Sequence, residues 1–151
     1  MRSKNFSAAA LAVVLLQSGC ASAPRFYLHY GDELREASLD EMLAENPLPA
    51  GENIRVVNLG RTQSASQHLV QIRDREALHV HKLHDATVTV VRGQGYLVLG
   101  QRRVELKAGD IIQIARGVPH YYVNTGTEPT VALAVYAPAF DGKDTQPVKL
   151  P

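Results

Sequence analysis

The chain has a single cysteine, Cys20, among 151 residues. One cysteine cannot form an internal disulfide, a cysteine-cluster zinc site or a redox pair, so these three kinds of chemistry are excluded. The chain also lacks an excess of charge of either sign, since its formal net charge is +1. Without a basic field to attract phosphates, we expect no nucleic-acid partner.

Several enzyme signatures are missing as well. The sequence contains no G-x-S-x-G nucleophile motif and no glycine-rich loop that would cradle phosphates. The Gly93-Gln94-Gly95 segment is not followed by the helix pattern that a dinucleotide site requires. The length and composition fit one globular domain, and hydrolase and nucleotide-dependent functions are disfavoured.

Residues 1–19 have the layout of a secretory leader. Arg2 and Lys4 precede an apolar run at positions 6–16, which is much shorter than the ~20 residues that a membrane-spanning helix needs. The Leu-Gln-Ser-Gly-Cys segment that ends at Cys20 resembles a bacterial lipobox, although Gln17 stands where an aliphatic residue is usual. We expect cleavage before Cys20 and its lipidation; the alternative is ordinary cleavage around positions 21–23.

Lipidation of Cys20 predicts a location at the cell envelope, because acyl chains on that residue would hold the protein on a membrane. No acidic retention residue follows the cysteine, since the next residues are Ala21 and Ser22. In a Gram-negative organism we therefore expect the periplasmic face of the outer membrane.

The rest of the chain is predicted to be mostly β. Residues 20–53 form a linker with one short helix over residues 39–45, because Ser38 and Glu41 have capping-box spacing and Asn46-Pro47 ends the apolar stripe. From Ile54 onward, short runs rich in Val, Ile, Thr and Tyr predict an antiparallel sandwich or barrel over residues 54–138. Residues 139–151 are expected as a tail. The nine predicted strands span 54–59, 67–73, 77–81, 87–92, 95–99, 102–106, 110–115, 121–124 and 131–136.

Two histidines are spaced to lie on one side of a strand. His79 and His81 are two residues apart, so in an extended chain their imidazoles face the same way and can approach one metal ion. A hydrogen-bonded pair on a solvated face is the alternative for these two residues alone.

The surrounding spacing resembles the two motifs of the cupin family. The first motif is matched by His79, His81 and Gly93, but the leading glycine is absent and Ala86 stands at the usual glutamate position. The second is matched by Gly109, Gly117, Pro119, His120 and Asn124, with Ala115 in place of a proline. Fifteen residues separate Gly93 from Gly109, as in compact microbial cupins.

The resemblance implies an all-β fold, a double-stranded β-helix barrel with one short N-terminal helix. It also implies that His79, His81 and His120 bind one divalent transition metal ion, which could be Fe, Mn, Ni, Cu or Zn. The glutamate ligand does not carry over. Strand alternation favours His84 as a fourth ligand and charge favours Asp85, and the sequence does not choose between them.

A pocket lined mainly by Val, Ile and Tyr would suit a small organic ligand beside the metal. Tyr122 shares the inward face of its strand with His120 and is a weak candidate for positioning a substrate or donating a proton. The resemblance implies a metal-dependent oxygenase or isomerase. The alternatives are a non-catalytic lipoprotein that binds a metal or small ligand, and an interaction module with a degenerate site. The cupin resemblance also suggests a homodimer in which the two copies pair through sheet edges.

Overall fold

The computed structural model describes residues 24–30 and 32–148. The predicted leader and Cys20 lie outside this part of the chain. In chain order, the elements are β1 (Arg25–Tyr30), β2 (Glu33–Ser38), α1 (Leu39–Glu45), β3 (Ile54–Arg61), β4 (Ser66–Ile72), β5 (His79–His81), β6 (Asp85–Arg92), β7 (Gln94–Leu99), β8 (Arg102–Lys107), β9 (Ile111–Ile114), β10 (His120–Asn124), β11 (Thr130–Ala137) and β12 (Thr145–Pro147).

Two five-stranded antiparallel sheets form the barrel. The strand orders are β12-β5-β10-β7-β8 in one sheet and β3-β4-β11-β6-β9 in the other. Inward side chains of both sheets meet in one hydrophobic cluster, in which Val70, Val90, Leu97 and Leu106 are buried. The all-β prediction and the double-stranded β-helix fold are therefore confirmed.

The short helix is confirmed over Leu39–Glu45, with both hydrogen bonds of the capping box between Ser38 and Glu41. All nine predicted strands are present within a few residues of their expected ends. Two segments differ from expectation. The linker contains the antiparallel pair β1 and β2 as well as the helix, and the expected tail contributes β12, which pairs with β5.

Strand β4 is buried on both of its faces. Val70 and Ile72 face the interior of the barrel, whereas Leu69 faces a second cluster outside it. That second cluster is formed by the N-terminal hairpin and helix, through Phe26 and Met42 among others. The N-terminal segment is thus a layer packed on the outside of one sheet. Within the described residues, no helix is long and apolar enough to cross a membrane.

Candidate metal centre and ligand cavity

Three buried histidines meet inside the barrel. His79 on β5 lies directly across from His120 on β10, and their ring centroids are 4.3 Å apart. His81, two residues further along β5, has its ring centroid 5.0 Å from that of His79 and 5.3 Å from that of His120. One ring nitrogen of each residue lies within 4.8 Å of the others. The structure thus brings together the H-x-H pair and the histidine that the cupin resemblance implies as their partner.

Each of the three rings is held by a backbone carbonyl. Nδ1 of His79 donates to Ala77 O at 2.8 Å, and Nδ1 of His120 donates to Val118 O at 2.9 Å. Nδ1 of His81 donates to the carbonyl of Asp144 at 3.2 Å. Because a carbonyl oxygen only accepts, each Nδ1 carries a hydrogen, and in the neutral form of each ring the lone pair is on Nε2.

Burial disfavours protonation of two of these imidazoles, those of His81 and His120. It lowers the pKa of His120 to about 4, and it also lowers the pKa of His81, with His79 contributing in the same direction. Three imidazole nitrogens inside a barrel match the donor set that a transition metal ion takes from proteins.

The two proposed fourth ligands are not part of this cluster. Asp85 accepts hydrogen bonds from Arg116, and the distance from Arg116 Nη2 to Asp85 Oδ2 is 2.6 Å. That contact lowers the pKa of Asp85 to about 2. Asp85 and Ala86 are consecutive in β6 and point to opposite faces, so the inward position carries only a methyl group. The structure therefore does not bring Asp85 to the three histidines.

His84 is buried but is engaged elsewhere. Its Nδ1 donates to Asp144 Oδ2 at 2.7 Å, and the same oxygen accepts from the amide of Leu83 at 2.7 Å. The other carboxylate oxygen of Asp144 is buried and has no hydrogen-bond partner within the described part of the chain. Through its carbonyl and its carboxylate, Asp144 thus holds both His81 and His84.

Tyr122 points inward, as predicted, but its hydroxyl is already hydrogen-bonded to Thr130. The hydroxyl lies 3.0 Å from Thr130 Oγ1, and Thr130 Oγ1 donates to Asn124 Oδ1 at 2.9 Å. The Tyr122 hydroxyl is therefore the donor toward Thr130. Its ring packs over Gly95, where an added Cβ would come within 2.3 Å of the hydroxyl oxygen.

A cavity of about 280 Å³ adjoins the histidines and extends between the two sheets. Two of its polar lining residues were missed by the sequence analysis, Glu76 and Tyr136. Tyr136 lies directly across from Ala86, and its ring centroid is 5.2 Å from that of His81. The alternation of β11 could have indicated Tyr136, because Ala132 and Ala134 share its face.

Glu76 lies in an irregular segment between β4 and β5, where no strand pattern predicts a direction for the side chain. Burial raises its pKa, whereas His79 and a hydrogen bond from the amide of Tyr122 act in the opposite direction. Glu76 is the one acidic residue among those that line the cavity in the described structure.

Comparisons with known proteins agree with this architecture. The family model described as Cupin domain matches residues 68–136, which include all three histidines of the cluster. An uncharacterized protein of Aquifex aeolicus strain VF5 is 43% identical over 99 residues, which are 66% of this chain and 81% of that protein.

Solved structures show the same fold. An uncharacterized conserved protein with a double-stranded β-helix domain from Klebsiella pneumoniae is 25% identical, with a TM-score of 0.59 over 70% of this chain and 95% of that one. Pac13 of Streptomyces, solved with uridine and described as a nucleoside dehydratase, is 24% identical, with a TM-score of 0.56 over 65% of this chain and 79% of that one.

Proposed function

Because residues 68–136 match the Cupin domain model, we propose that the chain binds one divalent transition metal ion at His79, His81 and His120 and a small organic molecule in the adjoining cavity. One observation carries the proposal. All three Nδ1 atoms donate to backbone carbonyls, so three Nε2 lone pairs are left in a buried cluster. The three histidines offer ring nitrogens that lie within 4.8 Å of one another, so one cation can bind all three at once.

The number of protein ligands favours a catalytic metal site over a structural one. Within the described residues the cluster consists of three histidines, and no carboxylate is among them. Metal sites closed by four protein ligands are usually structural, whereas sites with three leave positions for water or substrate. A metal bound here would supply Lewis acidity toward an oxygen atom of the ligand. We therefore propose oxygenase or isomerase chemistry, with the non-catalytic binding lipoprotein as the alternative.

Metal content tests this proposal directly. The full chain, purified without a histidine tag, is expected to contain about one equivalent of Fe, Mn, Ni, Cu or Zn by elemental mass spectrometry. His79→Ala and His120→Ala are expected to retain less than a tenth of that amount. His29→Ala is the matched control, since His29 is exposed on β1 and is expected to leave the metal content unchanged.

Two results would contradict the proposal. A wild-type protein that takes up none of these ions after reconstitution would remove the metal centre altogether. Equal metal loss in His29→Ala would show that the measured ion is bound nonspecifically. If the metal is zinc and no exchangeable water is found on it, the non-catalytic alternative replaces the enzyme.

We also propose attachment to the cell envelope through lipidated Cys20. The support is the leader layout in the sequence, and Cys20 lies outside the described residues. Labelling cells with a palmitate analogue is expected to tag the wild-type protein, and Cys20→Ser is expected to lose both the label and the membrane fraction. An unlabelled wild-type protein with an N-terminus at positions 22–24 would establish ordinary cleavage instead.

A further inference from the structure

Glu76 is held firmly at one end of the cavity. Its backbone amide donates to Tyr122 O at 2.9 Å, and its Oε2 accepts from Tyr122 N at 2.9 Å. These two bonds fix the residue against β10, the strand that also carries His120. Among the described residues, the amide of Tyr122 bonds one carboxyl oxygen of Glu76, and no group donates to the other oxygen, Oε1.

The rest of the cavity is mainly apolar. Valine, isoleucine, leucine and alanine side chains from both sheets form most of its wall, among them Val88, Val90 and Leu97. Hydroxyl-rich ligands would bury unpaired polar groups against these side chains, which is unfavourable. A volume of about 280 Å³ is at the small end of ligand sites and suits a single ring.

The charge of the lining disfavours anions. No lysine or arginine is among the described residues that line the cavity, so away from the proposed metal ion no protein side chain would balance a ligand carboxylate or phosphate. Glu76 would repel such an anion in surroundings of low dielectric constant. An uncharged ligand that donates one hydrogen bond to Glu76 needs no positive side chain and is not repelled by the Glu76 carboxylate.

We propose that Glu76 is the hydrogen-bonding anchor of the cavity and that the ligand is a small, uncharged, mainly apolar ring compound with a hydroxyl donor. This deepens the proposed function, because it rests on the same cavity being the binding site. Glu76 acts on the ligand directly, as a binding residue, through the oxygen that Tyr122 leaves unused.

Three probes with one ring separate the relevant properties. Phenol has a hydroxyl donor, anisole replaces that hydrogen with a methyl group, and benzoate is an anion. Isothermal titration calorimetry at pH 8 is carried out on the full chain as purified and again after metal removal. Phenol is expected to bind at least about tenfold more tightly than anisole in both forms, because a hydrogen bond to a charged group contributes more than the ~1.4 kcal/mol of a tenfold change. Benzoate is expected to bind most weakly in the metal-free protein.

Replacement of the carboxylate by an amide sharpens the test. In Glu76→Gln the amide oxygen can keep the hydrogen bond from Tyr122 N, which leaves an NH₂ donor where the carboxylate accepted. The preference for phenol over anisole is expected to disappear or reverse. Glu128→Gln is the matched control, because Glu128 is exposed and does not line the cavity, and it is expected to keep the wild-type preference.

The outcomes separate this inference from the metal proposal. Equal affinities for phenol and anisole in the wild-type chain would overturn the anchor role without requiring any variant to fold. An unchanged preference in a folded Glu76→Gln protein would do the same, even with one equivalent of metal bound. A preference that depends on Glu76 in a protein that binds no metal would support the anchor while the metal proposal fails.

Discussion

Asp85 and Ala86 are neighbours on β6, but their side chains serve different parts of the molecule. The side chain of Ala86 is buried inside the barrel, and that of Asp85 lies on the outer face beside Arg116. A shift of one position would place the carboxylate among the histidines, because side chains alternate along a strand. The position of one residue therefore decides whether this carboxylate could bind a metal or instead pairs with an arginine.

Asp85→Asn is expected to leave the metal content unchanged and to lower the stability of the fold at neutral pH. The pKa of Asp85 in the folded protein is about 2, below its ordinary value of 3.8, so its ionised form stabilises the fold above about pH 4. That contribution is lost as the pH falls from 4 toward 2. Urea unfolding of wild type and variant is expected to show a difference at pH 7 that shrinks to zero near pH 2. A difference independent of pH would contradict the ion-pair account.

Gly95 is explained by packing. It lies within β7, and an added Cβ would come within 2.1 Å of Val123 O and 2.3 Å of the Tyr122 hydroxyl. Gly95→Ala is therefore expected to destabilise the protein by ~1–3 kcal/mol in urea unfolding, because the neighbours cannot all move away. Gly51→Ala is the control, since nothing lies within 4 Å of the added Cβ there. Equal stabilities of the two variants would contradict this role for Gly95.

Residues of the site differ in how well the sequence predicts them. His79 and His81 follow from spacing, because an H-x-H pair in a strand has a fixed direction, whereas His120 is implied by the resemblance to the second cupin motif. Glu76 could not be placed in this way. Its side chain is positioned by hydrogen bonds to Tyr122, which is 46 residues away in sequence. Local patterns contain no information about such a contact.

The helix and strands also differ in how well the sequence predicts them. The nine predicted strands are indicated by runs of β-branched residues between glycines. The helix is indicated by a capping box. Strand β2, Glu33–Ser38, has no alternation of apolar and polar residues that would predict a strand. Ala37 is its one buried residue, and three of the other five residues are charged. Strand β12 has three residues, Thr145–Pro147, and no apolar alternation. Both strands form through contacts with other parts of the chain: β2 pairs with β1, and β12 pairs with β5.

The segment that leads into β12 is expected to stabilise the barrel through Asp144. Asp144→Ala removes the acceptor of the His84 ring and of the Leu83 amide, which leaves two donors without partners. We expect a loss of ~3 kcal/mol in urea unfolding, since each hydrogen bond to a charged group contributes about 1.5–3 kcal/mol. Asp141→Ala is the control from the same segment, because within the described residues the Asp141 carboxylate accepts a single exposed hydrogen bond, from the amide of Lys143. A loss of equal size in both variants would contradict a specific role for Asp144.

Across the whole molecule, two hydrophobic clusters share the same strands. Val70 and Ala134 belong to the cluster inside the barrel, and Leu69 and Val131 belong to the cluster under the N-terminal hairpin and helix. Strands β4 and β11 therefore contribute side chains to both clusters, and loss of either cluster exposes apolar surface on the other side of the same strands. We expect the layers to unfold together, in one transition, as is usual for domains of this size.

Metal removal is expected to lower the stability of this entire unit. The three histidines lie on β5 and β10, which are paired within one sheet, so an ion that binds the folded cluster and not the unfolded chain stabilises the whole barrel. At a free metal concentration 100 times the Kd, the gain in unfolding free energy is ~2.7 kcal/mol. Urea titrations with and without the metal are expected to show this gain in wild type and in His29→Ala, and no gain in His120→Ala. A gain that persists in His120→Ala, or a second transition that responds to metal alone, would contradict the link between the histidine cluster and the cooperative fold.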